Sequence, residues 1–157
     1  MGAPSRKVGV GWQPTISFQD FAEQLLLAKH DFSAAGHVFK VYLSNAAPSA
    51  SLDAVKADLA EITPGNGYTA GGEDSQNTLA EASGTATVTG TKVVWTASGG
   101  TIGPFQYVAL YNDTQTSPVD PLVAWWDYAS ALTLQIGETF SVKFNNSETT
   151  GTLFTLA

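Results

Sequence analysis

The chain has 157 residues and no cysteine, enough for one domain that removes roughly 70% of its unfolded surface from water, with disulfides, thiolate metal sites and a cysteine nucleophile excluded. Fourteen acidic residues against seven basic ones give a formal net charge of -7, and with no basic cluster beyond the pair Arg6-Lys7 the phosphate neutralisation behind nucleic-acid affinity is missing. Charged residues make up 13% of the chain, about half the ~25% usual for soluble domains, so Thr, Ser, Asn, Gln and Gly must cover most of the surface.

Residues 1–16 read as an extended N-terminal arm ahead of a single domain over 17–157. Glycines and prolines interrupt the arm, while Val8, Val10 and Trp12 alternate as they would on a strand. The arm lacks the apolar core of a secretory leader, and no run of the chain reaches the ~18 apolar residues of a bilayer span. A soluble protein with no membrane partner is expected. The stretch "SFQDFAEQLLLAKH" predicts a helix: Ser17 is placed to cap it, Phe18, Phe21, Leu25 and Ala28 form one stripe, and Lys29 and His30 close its C-terminal end. "LDAVKADL", Leu52 to Leu59, predicts a second helix of two turns.

Residues 65–74, "GNGYTAGGED", contain the G-x-x-x-x-G spacing of a phosphate loop between Gly67 and Gly72. A P-loop then needs a lysine and a Ser or Thr, and here Glu73 and Asp74 follow. Two carboxylates would repel a triphosphate, so the glycines need another explanation. Pro64-Gly65-Asn66-Gly67 supplies positive-φ positions for a tight turn, Tyr68 packs or hydrogen-bonds at its edge, and Gly71-Gly72 let the backbone pass close to another strand. The reading is a structural corner.

From Val38 onward the chain alternates as strands: "HVFKVYL", "TATVTG", "KVVWTAS", "FQYVALYN", "LVAWWDY", "LTLQI", "TFSVKFN" and "GTLFTLA", separated by turn signals such as "SGG", "NDTQTSP" and "NNSETTG". "FQYVALY" and "LVAWW" are apolar on both faces, as central strands are. The expected fold class is mainly β, an antiparallel β-sandwich of jelly-roll-like type with one N-terminal α-helix and the extended arm.

Candidate chemistry is sparse. Asp113, Asp120 and Asp127 recur at intervals of seven near aromatic residues, and a glycosidase would need two of them flanking a cleft; the plainer reading has Asp113 and Asp120 bounding a loop and Asp127 facing water. His30 and His37 are the only histidines. They lie in the connection "KHDFSAAGH" and read as structural or exposed, since seven residues across a glycine-containing turn is no recognised ligand spacing even with Asp31 added. Trp95, Trp125 and Trp126 with Tyr107, Tyr111 and Tyr128 could stack a sugar. Adjacent Trp125 and Trp126 must point to opposite faces of a strand, so one is expected in the core; the plainer reading packs the whole aromatic group there, and the alternative leaves the other partly exposed at a ligand or protein contact. Asn112-Asp113-Thr114 and Asn145-Asn146-Ser147 match the glycosylation sequon and carry no weight without a leader. No catalytic residue, metal ligand or cofactor is expected.

The order of "FAEQLLLAKHDFSAAGHVFKVYLSNAAP", "AEITPGNGYTAGG", "FQYVALYND" and "PLVAWWDYA" resembles the small virion structural proteins of tailed bacteriophages, which carry a helix, a "HDF" and strand motif, an E-(V/I)-x-G-x-GYTAGG motif and an aromatic-ended strand. The similarity runs from about Phe21 to Tyr128, with GYTAGG at 67–72 its most specific element. The chain departs from the pattern in its Arg6-Lys7 arm and in "WWDYA", where a Phe often follows the Asp. The resemblance implies a non-enzymatic virion protein, foremost a capsid decoration or cement protein, assembled in the host cytoplasm into homo-oligomers on the major capsid protein or another virion protein. Its expected partner contacts are Arg6, Lys7, Val8, Val10 and Trp12 in the arm together with Trp125 and Trp126, and its structural turn comprises Gly65, Gly67, Tyr68, Gly71 and Gly72. The alternative is a tail- or collar-associated carbohydrate- or receptor-binding sandwich.

Overall fold

The computed structural model describes residues 8–11 and 16–157. Among these described residues eleven strands and one α-helix follow in order: β1 (Val8–Gly11), β2 (Ile16–Ser17), α1 (Gln19–Leu26), β3 (Phe39–Ser44), β4 (Glu73–Asp74), β5 (Thr78–Ala82), β6 (Thr85–Thr91), β7 (Val93–Thr96), β8 (Ile102–Asn112), β9 (Leu122–Leu134), β10 (Thr139–Lys143) and β11 (Thr150–Leu156). They form three sheets, ordered β2-β9-β8-β3-β4, β1-β10-β7 and β11-β6-β5. The protein is mainly β, and every strand pair is antiparallel except β1 with β10, where the arm lies parallel with Val8 opposite Phe140 and Val10 opposite Val142.

The five-stranded sheet is buried on both faces, which is why "FQYVALY" and "LVAWW" are apolar throughout. Val108, Leu110 and Trp126 on one face join Trp95, Phe140 and Val142 of the small sheets in the main core. Tyr42, Ala109, Tyr111, Leu122 and Trp125 on the other face pack with Phe18 and Leu59 in a second core. The layering is sandwich-like. A one-residue alternation thus assigns the two adjacent tryptophans to different cores.

Several elements differ from the sequence reading. The helix is shorter, Gln19–Leu26, because Ser17 pairs with Ala124 in β2 and Phe18 becomes the N-cap without a side-chain bond. At its other end Ala28 takes φ 56°, with Ala28 N–H bonded to Leu25 O and Lys29 N–H to Gln24 O, the pattern of a left-handed C-terminal cap usually occupied by glycine. The stretch 52–59 forms only a 3-10 turn, Lys56–Asp58. Its preceding backbone is held extended, with Leu122 N–H on Ala54 O and Lys56 N–H on Asp120 O, while the Asp58 carboxylate accepts from Ala54 and Val55 N–H at 3.0 Å each. "LVAWWDY" and "LTLQI" are one strand, β9, bent where Ala129 adopts φ 71°. β4 and β5 were not foreseen, since Glu, Asp and Ala are poor strand formers.

Ala28 supplies a simple test of the cap. An alanine in left-handed backbone carries a Cβ penalty that glycine lacks, so Ala28→Gly is expected to raise stability by about 0.5–1 kcal/mol in urea unfolding. A loss of stability would mean that the helix does not end as described.

Candidate functional site

The GYTAGG corner closes on itself. Gly65, Gly67, Gly71 and Gly72 have φ of 129°, 98°, 87° and 75°, and Asn66 has 57°. A Cβ on Gly67 would lie 2.2 Å from Thr96 O, and one on Gly72 would lie 1.9 Å from Val41 O, so strands β7 and β3 run against bare backbone. Tyr68, 2% exposed, donates its hydroxyl to Glu61 Oε1 at 2.7 Å and accepts Leu43 N–H at 3.1 Å. The same carboxylate oxygen takes Gly71 N–H at 2.7 Å. Its other oxygen is paired with Lys56 Nζ at 2.7 Å, and that ammonium lies over the rings of Tyr42 and Tyr111. The Tyr111 hydroxyl lies 2.8 Å from Gly71 O and 3.0 Å from Asp113 Oδ1, two acceptors for its one proton. Burial, then nearby carboxylates, push the Tyr42 and Tyr111 phenols well above the usual range; burial is the first cause at Tyr68 too. Glu61 was not singled out from the sequence, although it heads the "AEITPGNGYTAGG" stretch; nothing in its spacing shows that it returns to Tyr68 and Gly71.

A second polar knot joins the two histidines. Asn112, fully buried, accepts Thr114 and Gln115 N–H with Oδ1, which fixes its amide so that Nδ2 is the donor. Nδ2 lies 3.1 Å from Lys29 O, 3.1 Å from His30 Nδ1 and 2.9 Å from His37 Nδ1. Nδ2 has two hydrogens for these three partners and cannot accept, so an Nδ1 hydrogen on either ring would face a donor, and the proton of neutral His30 sits on Nε2. That nitrogen is buried without a hydrogen-bond partner, its ring among Phe21, Phe32 and Phe39. Burial first, then the neighbouring His37, lowers the His30 pKa to about 4, with Asp20 opposing them. The histidines, expected to be structural or exposed, meet at an asparagine about 80 residues away, a partner that their spacing could not show. Among the described residues no group of three or more His, Cys, Asp or Glu is placed to hold a metal ion.

The three aspartates do not share one cleft. Asp113 is paired with Lys40 at 2.7 Å. Asp120, at φ 49°, has its carboxyl raised by burial and then by Asp113, so these two are neighbours. Asp127 lies opposite Tyr107 on β9, roughly 20 Å along the sheet at ~3.4 Å per residue, and accepts from Gln106 Nε2 and Ala129 N–H.

Of the expected partner contacts, Arg6, Lys7 and Trp12 lie outside the described residues, and Val8 and Val10 are placed by their backbone in β1. Trp125 and Trp126 are only 8% and 4% exposed. Both pack in the core, and the alternative that left one of them partly open does not hold: Phe18, 4.6 Å from Trp125 between ring centres, covers the face that a single strand leaves free.

What remains open to a partner lies elsewhere. β5 is the outer strand of its sheet, exposed along all five residues. Next to it a groove of about 300 Å³ is lined by Leu25, Phe32, Leu79, Val88, Phe154 and Leu156. Leu79 and Leu156 are 46% and 59% exposed. Among the described residues no helix is long and apolar enough to cross a membrane. No protein-family model, curated protein or solved structure matches the chain.

Proposed function

We propose that the protein is a non-enzymatic structural component of a bacteriophage particle, a decoration or cement protein that binds the capsid surface and stabilises it. The observation that carries this reading is the self-closure of the GYTAGG corner. The residues of its most specific motif are spent on one another, with Glu61 held by Tyr68, Gly71 and Lys56, and with Gly67 and Gly72 against strand backbone. Such a corner fixes the loops around it. The lysines Lys40, Lys56, Lys92 and Lys143 are all ion-paired within the chain. Binding would then rest on apolar burial and on backbone pairing at sheet edges, the terms a sparsely charged surface can supply. Glycan stacking is not favoured, because both candidate tryptophans are covered.

The test is loading onto capsids. Purified protein mixed with undecorated heads should co-sediment at a saturating, symmetry-related stoichiometry and raise the temperature at which the heads rupture. A variant lacking residues 2–14 should load more weakly, because the Arg6-Lys7 arm is the expected contact with an acidic acceptor. Absence of loading at any concentration would remove the proposal, and unchanged loading by the shortened chain would remove the arm from it.

A further inference from the structure

The β5–β6 hairpin ends in a two-residue turn, Ser83-Gly84, with φ of 53° and 84°, the type I′ geometry that closes a hydrogen-bonded pair. The closing pair is Ala82 with Thr85, and the ladder runs back through Ala80 with Thr87 to Thr78 with Thr89. Alternation in an antiparallel ladder then turns the N–H and C=O groups of Leu79 and Glu81 away from β6, toward the open edge. Edges of this kind are usually guarded by lysine, proline, a bulge or an inward charge. β5 has no lysine or proline, its register with β6 is unbroken, and its single charge, Glu81, is folded back to accept Gly84 N–H at 2.7 Å.

We propose that this edge pairs with the same edge of a second copy of the chain. A two-fold axis through Ala80 sets Leu79 opposite Glu81 of the partner and Glu81 opposite Leu79 of the partner, so that the four outward groups on each side make four interchain backbone bonds. The register is self-complementary, as an isologous dimer requires. It produces one continuous sheet, β11-β6-β5 followed by its mate, and sets the partner's Leu79 beside Glu81, in the row that continues through Ala86 to Leu156 at the apolar groove. About ten residues per side take part, against the 20–30 of a standard interface of ~800 Å² per partner, so the contact buries roughly 300–400 Å² per partner. That area is too small for a permanent dimer and fits a weak one, with a Kd in the range of tens to hundreds of micromolar, reinforced where copies are concentrated on a common surface. The inference concerns the purified chain and holds or fails whatever particle the protein belongs to.

Sedimentation velocity of the full chain from ~10 µM to ~1 mM tests it. A concentration-dependent monomer–dimer equilibrium is expected. Glu81→Pro removes an N–H that points to solvent in the monomer, so it spares the β6 ladder and should abolish dimerisation while leaving the thermal melt in place. Leu79→Glu, which sets like charges directly opposite each other on both sides of the axis, should weaken the dimer at least tenfold and serves if the proline variant fails to fold. A monomer at all concentrations, or a dimer that neither substitution weakens, overturns the proposal.

Discussion

Gly72→Ala is expected to cost at least about 3 kcal/mol, from backbone strain and a backbone clash together. Two effects combine at this site. Its φ of 75° is a conformation that penalises any Cβ, and the new atom would fall 1.9 Å from Val41 O, 2.7 Å from Val41 C and 2.8 Å from Tyr42 Cα. Those are backbone atoms of β3, the strand between β8 and β4. They cannot swing aside as a side-chain tip can. Either β3 shifts, disturbing the core around Val41 and Leu43, or the corner lifts and Glu61 loses Gly71 N–H. Gly65→Ala isolates the first effect, since its φ is 129° but nothing lies within 4 Å of its Cβ; strain of this kind alone costs on the order of 1–3 kcal/mol. Urea unfolding of the two variants should therefore separate them by about 2 kcal/mol, a large share of the 5–15 kcal/mol that stabilises an ordinary domain. Equal losses would show that β3 is not pressed against the corner.

The corner was legible from sequence in its backbone and illegible in its partners. Pro64-Gly65-Asn66-Gly67 announces positive φ, because only glycine and, less readily, asparagine reach it without a steric penalty. That Glu61 returns to Tyr68 and Gly71 depends on how the turn folds over β3, which no local pattern encodes. The same division runs through the fold. Strands β3, β8 and β9 were visible because a strand buried on both faces must be apolar at successive positions, and the alternation rule sent Trp125 and Trp126 to opposite faces. The rule cannot say that both faces are covered. Phe18 and Leu59 supply the second cover from segments that were read as parts of helices. Ser17 looked like a helix cap and is instead the end of β2, since a two-residue pairing with β9 outweighs a capping bond. β5 is the clearest miss: "TLAEA" has no strand signature of its own and is held in place by the type I′ turn and by Val88 opposite Leu79.

The buried histidine makes stability depend on pH in a defined window and direction. His30 is neutral in the folded protein because protonating Nδ1 would set an N–H against the Asn112 amide, whose orientation is locked by Thr114 and Gln115. Burial and the neighbouring His37 lower its pKa from the ordinary 6.5 to about 4. Above pH 6.5 the ring is neutral folded and unfolded, so it contributes no dependence. As pH falls below 6.5 the unfolded chain takes up the proton and the native state does not, and stability drops by up to 1.36 kcal/mol per unit. The drop ends near pH 4, at a total of about 3 kcal/mol. Carboxylates begin to titrate below pH 5, so urea unfolding at pH 7.5 and 5.0 confines the comparison to the upper part of the window, where a loss of about 1–2 kcal/mol is expected. In His30→Phe that component should vanish even though the variant, lacking the acceptor for Asn112, is less stable at both values. The His30 ring signals in NMR should stay at their neutral positions down to about pH 4.5. A slope that survives the substitution, or a ring that titrates near 6.5, would place His30 at the surface and undo the arrangement around Asn112.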